Sequence, residues 1–407
     1  MPYPPGGQAG QVLEGAQEIM AWEKSDRLKA LPPYVFAEID RAKRAAIAAG
    51  REVTNFGVGD PDRPTFGFIV EAMRKAVGDP ANHRYPFDEG VPQFRAACAK
   101  FMAERYGVTL DPATEIITSI GSKEAIAHMP LAVVNPGEAV LVPRPGYPVY
   151  NSAAVFAGGE PVYMLLTAEN DWLPDLDAID DATAEKAKLI YVNYPNNPTG
   201  AVADLRWYEK LVDWARRHRV IIANDAAYNE TYYDDPPPSI FEVDGARELA
   251  VEFHSLSKTF NMTGWRLGWV AGNAELVGAL AAVKGNCDSG QFNAVQWAGI
   301  AALEGIAREE VLAQRRMYRR RRDALCEGLA GLGYEVTPPP ATFYVWAKCP
   351  AGVGSMDFAK RCLAEASVVF IPGIGFGDPG EGYFRAALTV ETERIAQAIE
   401  RLGKLSW

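Results

Sequence analysis

The chain has 407 residues, 48% hydrophobic and 23% charged, which is typical of a soluble globular protein, and its length favours two domains. The formal net charge of −11 argues against nucleic acid or an anionic membrane as the main partner. No apolar run approaches the length of a membrane span. Five scattered cysteines without a CxxC pair fit a reduced, cytoplasmic protein, and four histidines without ligand spacing argue against a metal site.

The N-terminal region is predicted to be largely helical after an unstructured start. Residues 1–20 lack the basic and apolar zones of a signal peptide and are predicted to be a disordered lead-in. A helical pattern follows over 22–50, with a break at 31–34 and an end at Gly50. A short strand turning into a Gly/Pro loop at 55–61 and helices at 68–78 and 90–106 are predicted next.

A strand–helix alternation begins near residue 115. Strands are predicted at 115–120, 138–142, 161–166, 188–193, 219–224, 249–253 and 267–271, with helices at 122–134, 172–184 in part, 204–218 and 275–284. This alternation is typical of a largely parallel sheet with helices on both faces.

The pattern changes at about residue 307. A long helix at 307–331 carries a run of arginines, interpreted as a solvated face: Arg315, Arg316, Arg319, Arg320, Arg321 and Arg322. Strands at 341–347 and 367–371 and helices at 356–366 and 391–403 follow. The predicted fold class is α/β, a three-layer sandwich with a mostly parallel central sheet plus a smaller α+β domain. Residues 21–58 are predicted to form an N-terminal arm and part of the small domain, 59–306 the large domain, and 307–407 the small C-terminal domain.

Polar residues follow five of the predicted strands, and ligands of open parallel sheets bind beyond the strands' carboxyl ends. Ser122 and Lys123, after Gly121, open a helix whose free N–H groups suit a phosphate. Tyr147 has the shape to stack on a flat ring, although a core or rim tyrosine is the favoured interpretation of this residue taken alone. Prolines on both sides of the amide of Asn197 predict a rigid loop.

The last two of these strand ends carry charge. Asp225, with Tyr228 after it, ends a buried strand, where a carboxylate is costly unless a cation pairs with it. A protonated pyridine nitrogen is such a partner. Lys258 and Arg266 follow the strand at 249–253; a lysine of lowered pKa forms Schiff bases, while a solvated loop explains any single Lys–Arg pair. Together the five strand ends describe a site for pyridoxal 5′-phosphate (PLP).

Three motifs give the chain, over about residues 20–407, a resemblance to the fold-type I, PLP-dependent aminotransferases of class I/II. They are Tyr-Pro-Asn-Asn-Pro-Thr-Gly at 194–200, Asn-Asp-Ala-Ala-Tyr at 224–228, and Ser-Leu-Ser-Lys with an arginine eight residues after the lysine. The resemblance implies transfer of an amino group between an amino acid and a 2-oxo acid. It also implies a homodimer that shares its active sites across the interface, with Lys258 as the covalent anchor of PLP and the catalytic proton carrier.

The same resemblance implies roles for the other site residues. Arg385 would clamp the substrate's α-carboxylate, as suits a guanidinium fork, and Gly59 and Asn197 would line the substrate pocket. The residues implied for the cofactor are Tyr147, Asn197, Asp225 and Tyr228 around the ring, Ser122, Lys123, Ser255 and Arg266 around the phosphate, and Tyr85 reaching the phosphate of the neighbouring subunit.

A narrower resemblance is to the LL-diaminopimelate aminotransferases. It rests on Leu-Pro-Pro-Tyr-Val-Phe-Ala-Glu-Ile-Asp, Gly-Ser-Lys-Glu-Ala-Ile-Ala-His, Pro-Gly-Tyr-Pro-Val-Tyr and Asp-Ser-Gly-Gln-Phe. That family makes LL-2,6-diaminopimelate from tetrahydrodipicolinate and glutamate, a step towards lysine, so its pocket must bind a second ammonium and carboxylate. Tyr34, Lys123 and Asn293 are the residues expected there, with Asp88 or Glu89 of the partner subunit for the ammonium. Plant-type members carry Glu-Gln-Gly where this chain reads Asp-Glu-Gly.

Other functions stay open on the same fold. An aspartate, alanine or aromatic aminotransferase is the first alternative, because fold and cofactor do not determine the substrate. A β-eliminating lyase or decarboxylase is another. A non-enzymatic effector-binding module, as in transcription regulators, is less expected, because it needs a basic winged-helix segment and only about 20 residues precede the fold.

Overall fold

The structure, a computed structural model, describes residues 22–31, 36–86 and 89–407, apart from the side chains of residues 36–38. The predicted lead-in at 1–20 lies outside these ranges, as do Tyr34 and Asp88. The strands are β1 (Thr54–Asn55), β2 (Ile116–Ser119), β3 (Ala139–Arg144), β4 (Glu160–Leu165), β5 (Ala187–Asn193), β6 (Ile221–Asp225), β7 (Ala250–Ser255), β8 (Gly268–Gly272), β9 (Tyr344–Lys348), β10 (Val368–Val369), β11 (Ile371–Pro372) and β12 (Tyr383–Ala387).

The α-helices cover both faces of the main sheet and the C-terminal part of the chain. They are α1 (Asp26–Lys29), α2 (Phe36–Ala48), α3 (Gly67–Val77), α4 (Pro92–Tyr106), α5 (Ser122–Val133), α6 (Val149–Ala157), α7 (Asp181–Lys186), α8 (Leu205–His218), α9 (Leu256–Thr259), α10 (Ala274–Cys287), α11 (Asn293–Glu304), α12 (Glu309–Gly331), α13 (Ser355–Ala366) and α14 (Thr392–Leu402). None of the helices in the described residues is both long and apolar enough to cross a membrane.

A seven-stranded sheet with the order β2-β8-β7-β6-β5-β3-β4 forms the centre of the fold. Only β8 runs antiparallel to its neighbours, because the loop after β7 brings the chain back along the same edge. Successive β7 residues face opposite sides, so Ala250 lies in one core layer with α4, α8 and α11, and Val251 in the other with α5, α6 and α10. The predicted three-layer sandwich is confirmed.

A smaller antiparallel sheet, β11-β12-β9, packs with α12, α13 and α14 around a separate core. The parallel pair β1–β10 joins Thr54 to Val368, and Phe56 belongs to the same core. The predicted α+β part is therefore present, and residues just before 59 pack with the C-terminal part. The domain boundaries themselves stay a prediction.

Some elements differ from the sequence-based prediction. Helices α6 and α11 and strand β12 were not predicted. In α11 eight of twelve residues are buried, and a helix covered on most sides has no polar stripe to reveal its period. The helix expected over 172–184 is reduced to α7, because Pro174 interrupts the helical pattern and Asp180 caps a new start by accepting from the N–H of Thr183.

The interpretation of the arginine run in α12 as a solvated face is wrong for Arg321. Its side chain is fully buried and donates two hydrogen bonds to Asp62, at 2.7 and 2.8 Å, and one to Glu391 at 3.0 Å. Arg321 lies three residues after Tyr318 and four before Leu325, so it shares their core-facing side of the helix. The composition of such a run shows its charge, but it does not show which face of the helix packs against the core.

Candidate active site

A cavity of about 630 Å³ opens where β2, β3, β5, β6 and β7 end. Its size falls in the range of small-molecule sites. Eleven of the predicted site residues line it: Gly59, Ser122, Lys123, Tyr147, Asn197, Asp225, Tyr228, Ser255, Lys258, Arg266 and Arg385. Residues distant in sequence thus meet at one edge of the sheet, as the strand-end argument predicts.

Three other predicted residues do not line this cavity. Tyr85 is 88% exposed, and the side chain of Glu89 is exposed as well. Asn293 is buried at the start of α11, and its Oδ1 has no hydrogen-bond partner within the described residues. Within one chain, these three residues therefore lie outside the cavity.

Lys258 lies in the single turn of α9, directly after β7, which aims its side chain into the cavity. Its Nζ donates a hydrogen bond of 2.9 Å to the carbonyl oxygen of Gly59. A Cβ at position 59 would overlap the hydroxyl of Tyr344. Glycine is therefore required at this point, where the lysine and Tyr344 both approach the backbone.

Asp225 ends β6 and is 4% exposed. The hydroxyl of Tyr150 donates to its Oδ2 at 2.7 Å, and the N–H of Ala227 donates to Oδ1 at 3.2 Å. Burial raises the pKa of Asp225 to about 6, although both hydrogen bonds act in the opposite direction. A buried carboxylate whose pKa is raised in this way is stabilised by a cation beside it. A protonated ring nitrogen is such a cation.

The loop after β5 is tied to Asp225 and Arg385 through asparagines. Asn193 accepts from the N–H of Asn197 at 2.8 Å and donates to the carbonyl oxygen of Asp225 at 2.7 Å. Arg385 donates from Nη1 to Oδ1 of Asn197 at 2.7 Å and from Nη2 to the carbonyl oxygen of Gly57 at 3.1 Å. These contacts hold the amide and the guanidinium in fixed positions on the cavity wall.

The guanidinium of Arg385 lies over the rings of Tyr344 and Phe376, with its Cζ 4.2 and 4.8 Å from their centroids. Its Nε is buried and has no hydrogen-bond partner in the described part of the chain. An oriented fork with an unused buried donor is suited to a carboxylate.

The start of α5 forms another part of the cavity wall. Gly121 precedes this helix with φ +74°, and a Cβ there would overlap the guanidinium of Arg266. The N-terminal N–H groups, Arg266 and the hydroxyls of Ser122 and Ser255 make a site that fits a phosphate.

Buried charges hold the first turn of α5 and the residue before Gly121 in place. Glu124 accepts from the N–H of Ile120 at 3.0 Å and from Nζ of Lys284 at 3.0 Å. The lysine side chain is only 1% exposed and also pairs with Asp288 at 3.2 Å. Burial would raise the pKa of Glu124, but its contacts to His128 and Lys284 outweigh it and lower the pKa.

Sequence reasoning missed several residues of the site. Tyr150 lies in the first turn of α6, three positions after Tyr147 in the loop before it, and the centroids of the two rings are 5.7 Å apart, so a signal was present next to a predicted site residue. Tyr344, in β9, has no such local signal; its hydroxyl lies 3.1 Å from that of Tyr228. Burial and this neighbour raise the pKa of Tyr228 well above its usual value, so it remains a neutral phenol.

Residues 51–402 match the protein family described as "Aminotransferase class I and II". The chain belongs to this family. It is 54% identical over 385 residues to LL-diaminopimelate aminotransferase of Aquifex aeolicus (94% of this chain, 99% of the relative). It is 52% identical over 389 residues to the enzyme of the same name from Syntrophobacter fumaroxidans (95% and 100%). Substrate-bound BacF from Bacillus subtilis superposes with a TM-score of 0.90 at 36% identity, covering 95% and 98% of the two chains.

Class I and II aminotransferases use PLP, so the predicted cofactor and reaction class are confirmed. The residues of the cavity fit this cofactor: Asp225 is a buried carboxylate that is stabilised by a cation, the start of α5 suits a phosphate, and Lys258 lines the same cavity. When bound, PLP supplies an electron-poor ring that takes up the electron pair released at the substrate's Cα.

Proposed function

We propose that this aminotransferase converts tetrahydrodipicolinate, glutamate and water to LL-2,6-diaminopimelate and 2-oxoglutarate, reversibly, in the formation of lysine. The observation that carries the proposal is identity of 54% and 52%, over nearly the full length, to two enzymes named LL-diaminopimelate aminotransferase. The polar groups of the cavity support it, since this substrate carries charge at both ends.

Arg385 binds the substrate's α-carboxylate. The guanidinium N–H donors that Asn197 and Gly57 leave unused would make this contact, while those two residues keep the guanidinium in place. The rings of Tyr344 and Phe376 restrict its orientation and shield the contact from water. This clamp sets the position of Cα relative to Lys258.

Lys258 is proposed to take the proton from the substrate's Cα with its Nζ and to return it during transfer. The carbonyl oxygen of Gly59 accepts a hydrogen bond from this Nζ, which fixes the position of the lysine side chain in the cavity. Asp225 would pair with the protonated ring nitrogen of PLP, as its buried carboxylate requires. Tyr228 and Asn197 would hydrogen-bond the ring hydroxyl, and Tyr147 would stack on the ring.

Lys123, which lines the cavity, is proposed to bind the distal carboxylate together with Tyr34 and Asn293. Tyr34 lies outside the described residues, and Asn293 lies outside the cavity of its own chain. For the distal ammonium, Asp88 or Glu89 of the partner subunit is the sequence-based proposal.

We also propose a cytoplasmic homodimer. Tyr85 supports the dimer: a tyrosine that is 88% exposed in one chain is available to reach the phosphate in the neighbouring subunit's site. The proposed division is an arm and part of the small domain at 21–58, a large domain at 59–306 and a small domain at 307–407.

The test is turnover of purified protein with glutamate and tetrahydrodipicolinate, with diaminopimelate as the expected product. Lys258→Ala is expected to lose both turnover and the visible absorbance of bound cofactor, while Lys210→Ala, an exposed lysine on α8, keeps both. Turnover only with aspartate, alanine or aromatic amino acids would contradict the proposed substrate. Turnover that survived Lys258→Ala would contradict the assignment of the lysine.

A further inference from the structure

Lys284, on α10, is a buried cation that does not line the active-site cavity. Its side chain is 1% exposed, and lysine is almost never buried to this extent unless it is paired. Its Nζ lies 3.0 Å from Oε2 of Glu124 and 3.2 Å from Oδ2 of Asp288. Glu124, His128 and Asp288 also have the composition of a metal site, with donor atoms within 4.8 Å of one another. Lys284 already supplies the positive charge that the two carboxylates need, so the cluster is explained without an ion.

The first of these carboxylates fixes the start of α5. Glu124 is the third residue of this helix, and its Oε2 also accepts a hydrogen bond of 3.0 Å from the N–H of Ile120, the residue before Gly121. The carbonyl oxygen of Ile120 in turn accepts a hydrogen bond of 3.5 Å from Nη2 of Arg266. The ion pair between Lys284 and Glu124 therefore holds the backbone that leads into the N-terminal N–H groups of α5 and that Arg266 contacts.

The second carboxylate, Asp288, fixes the turn after α10. Its Oδ1 accepts a hydrogen bond of 2.7 Å from the N–H of Gly290. The next residue, Gln291, is 8% exposed, and its amide donates to the carbonyl oxygens of Trp265, at 2.9 Å, and of Arg266. The backbone of Arg266 has φ +55°, which is uncommon for a residue other than glycine and persists where contacts hold it. Gln291 supplies such contacts, and the turn held by Asp288 positions Gln291.

We propose that Lys284 is a positioning residue for the phosphate of PLP, because it joins the two elements that would bind this phosphate. Through Glu124 it fixes the start of α5, and through Asp288 it fixes the backbone of Arg266. A helix start and a guanidinium bind a phosphate best when their spacing is preset, because no binding free energy is then lost in ordering them. The proposal rests on the placement of the phosphate at the start of α5 and is independent of the identity of the substrate.

The test compares the affinity of the cofactor-free, full-length protein for PLP and for pyridoxal, which has the same ring and aldehyde but no phosphate. The readout is the ratio of the two dissociation constants, from titrations that follow the absorbance of the bound ring. Lys284→Met is expected to lower the preference for PLP about ten- to a hundredfold, with the affinity for pyridoxal nearly unchanged. Asp288→Asn and Gln291→Met each interrupt only the link to Arg266 and are expected to lower it about three- to tenfold.

Arg321→Met, which removes an equally buried cation from α12, is the matched control and is expected to leave the ratio unchanged. A fall of the ratio in this control as well would overturn the proposal. Equal losses of affinity for PLP and pyridoxal in Lys284→Met also overturn it, because they indicate a general structural role. If Lys284→Met does not fold, Asp288→Asn and Gln291→Met decide: a lowered ratio supports the proposal and an unchanged ratio in both refutes it.

Arg266→Met is the positive control for the phosphate site and is expected to lose most of the preference for PLP. An unchanged ratio in Arg266→Met shows that the phosphate binds elsewhere, and the proposal then fails together with that placement. A lowered ratio in Arg266→Met with an unchanged ratio in Lys284→Met refutes the role of Lys284 alone. Neither result depends on whether diaminopimelate is the substrate.

Discussion

The hydroxyl of Tyr150 donates a hydrogen bond of 2.7 Å to Oδ2 of Asp225, with both side chains buried. Burial and the neighbouring carboxylate raise the pKa of Tyr150 well above its usual value, so the tyrosine stays a donor at any working pH. Its hydrogen bond favours the ionised form of Asp225, which burial disfavours. Tyr150 thus favours the anionic form that Asp225 would need in order to pair with the ring nitrogen of PLP.

Tyr150→Phe is expected to raise the pKa of Asp225 above its value of about 6 and to weaken PLP binding about tenfold. The reason is that a buried carboxylate loses its strongest donor. Cofactor titration of the apoprotein at several pH values measures the effect, which should be larger at pH 6.5 than at pH 8. Tyr191→Phe is the control, because its hydroxyl donates to the carbonyl oxygen of Ile126 instead. Equal effects of the two changes would contradict this role.

Asp225→Asn is expected to abolish turnover while stabilising the apoprotein at neutral pH. The pKa of Asp225 is raised from 3.8 to about 6, so the folded state holds this proton more tightly than the unfolded state. Its contribution to stability therefore falls as pH rises from about 4 to 6, reaching a cost of about 3 kcal/mol above that. Urea unfolding of cofactor-free protein should show a higher free energy of unfolding for the variant than for the wild type at pH 7.5. This difference should disappear near pH 4. A gain that did not depend on pH would contradict the raised pKa.

Gly59→Ala is expected to lower kcat/KM at least about a hundredfold. The added Cβ meets the hydroxyl of Tyr344, so the tyrosine must move, and its contacts to Tyr228 and Arg385 are lost. Overpacking costs about 1–3 kcal/mol in stability, less than the effect on catalysis. Gly67→Ala is the control, because nothing lies within 4 Å of its Cβ position. Near-normal activity of Gly59→Ala would show that catalysis does not depend on the position of Tyr344.

Arg321→Met is expected to reduce the free energy of unfolding by about 3–5 kcal/mol, since it leaves Asp62 and Glu391 without their buried cation. Arg316→Met, five residues earlier on α12, removes an exposed ion pair with Glu309 and is expected to cost at most about 1 kcal/mol. Chemical denaturation of the two variants compares their free energies of unfolding. Similar losses would restore the interpretation of this arginine run as a solvated face.

The sequence by itself determined that the predicted site residues gather at the carboxyl ends of the sheet strands. Lys258, Asp225 and Asn197 each follow an apolar run in a strand–helix alternation, and a parallel sheet brings such strand ends to one edge whatever the details of packing. Fold class and cofactor follow from the same local patterns.

Only the tertiary structure decided which side chains complete the site. Tyr344 meets Gly59 and Arg385 from the small sheet, and Asp40 reaches the cavity from a helix more than 300 residues earlier than Arg385 in the sequence. Arg321 is buried because α12 turns that face towards Asp62. Contacts between segments so far apart depend on how helices and sheets pack, and local periodicity carries no information about their partners.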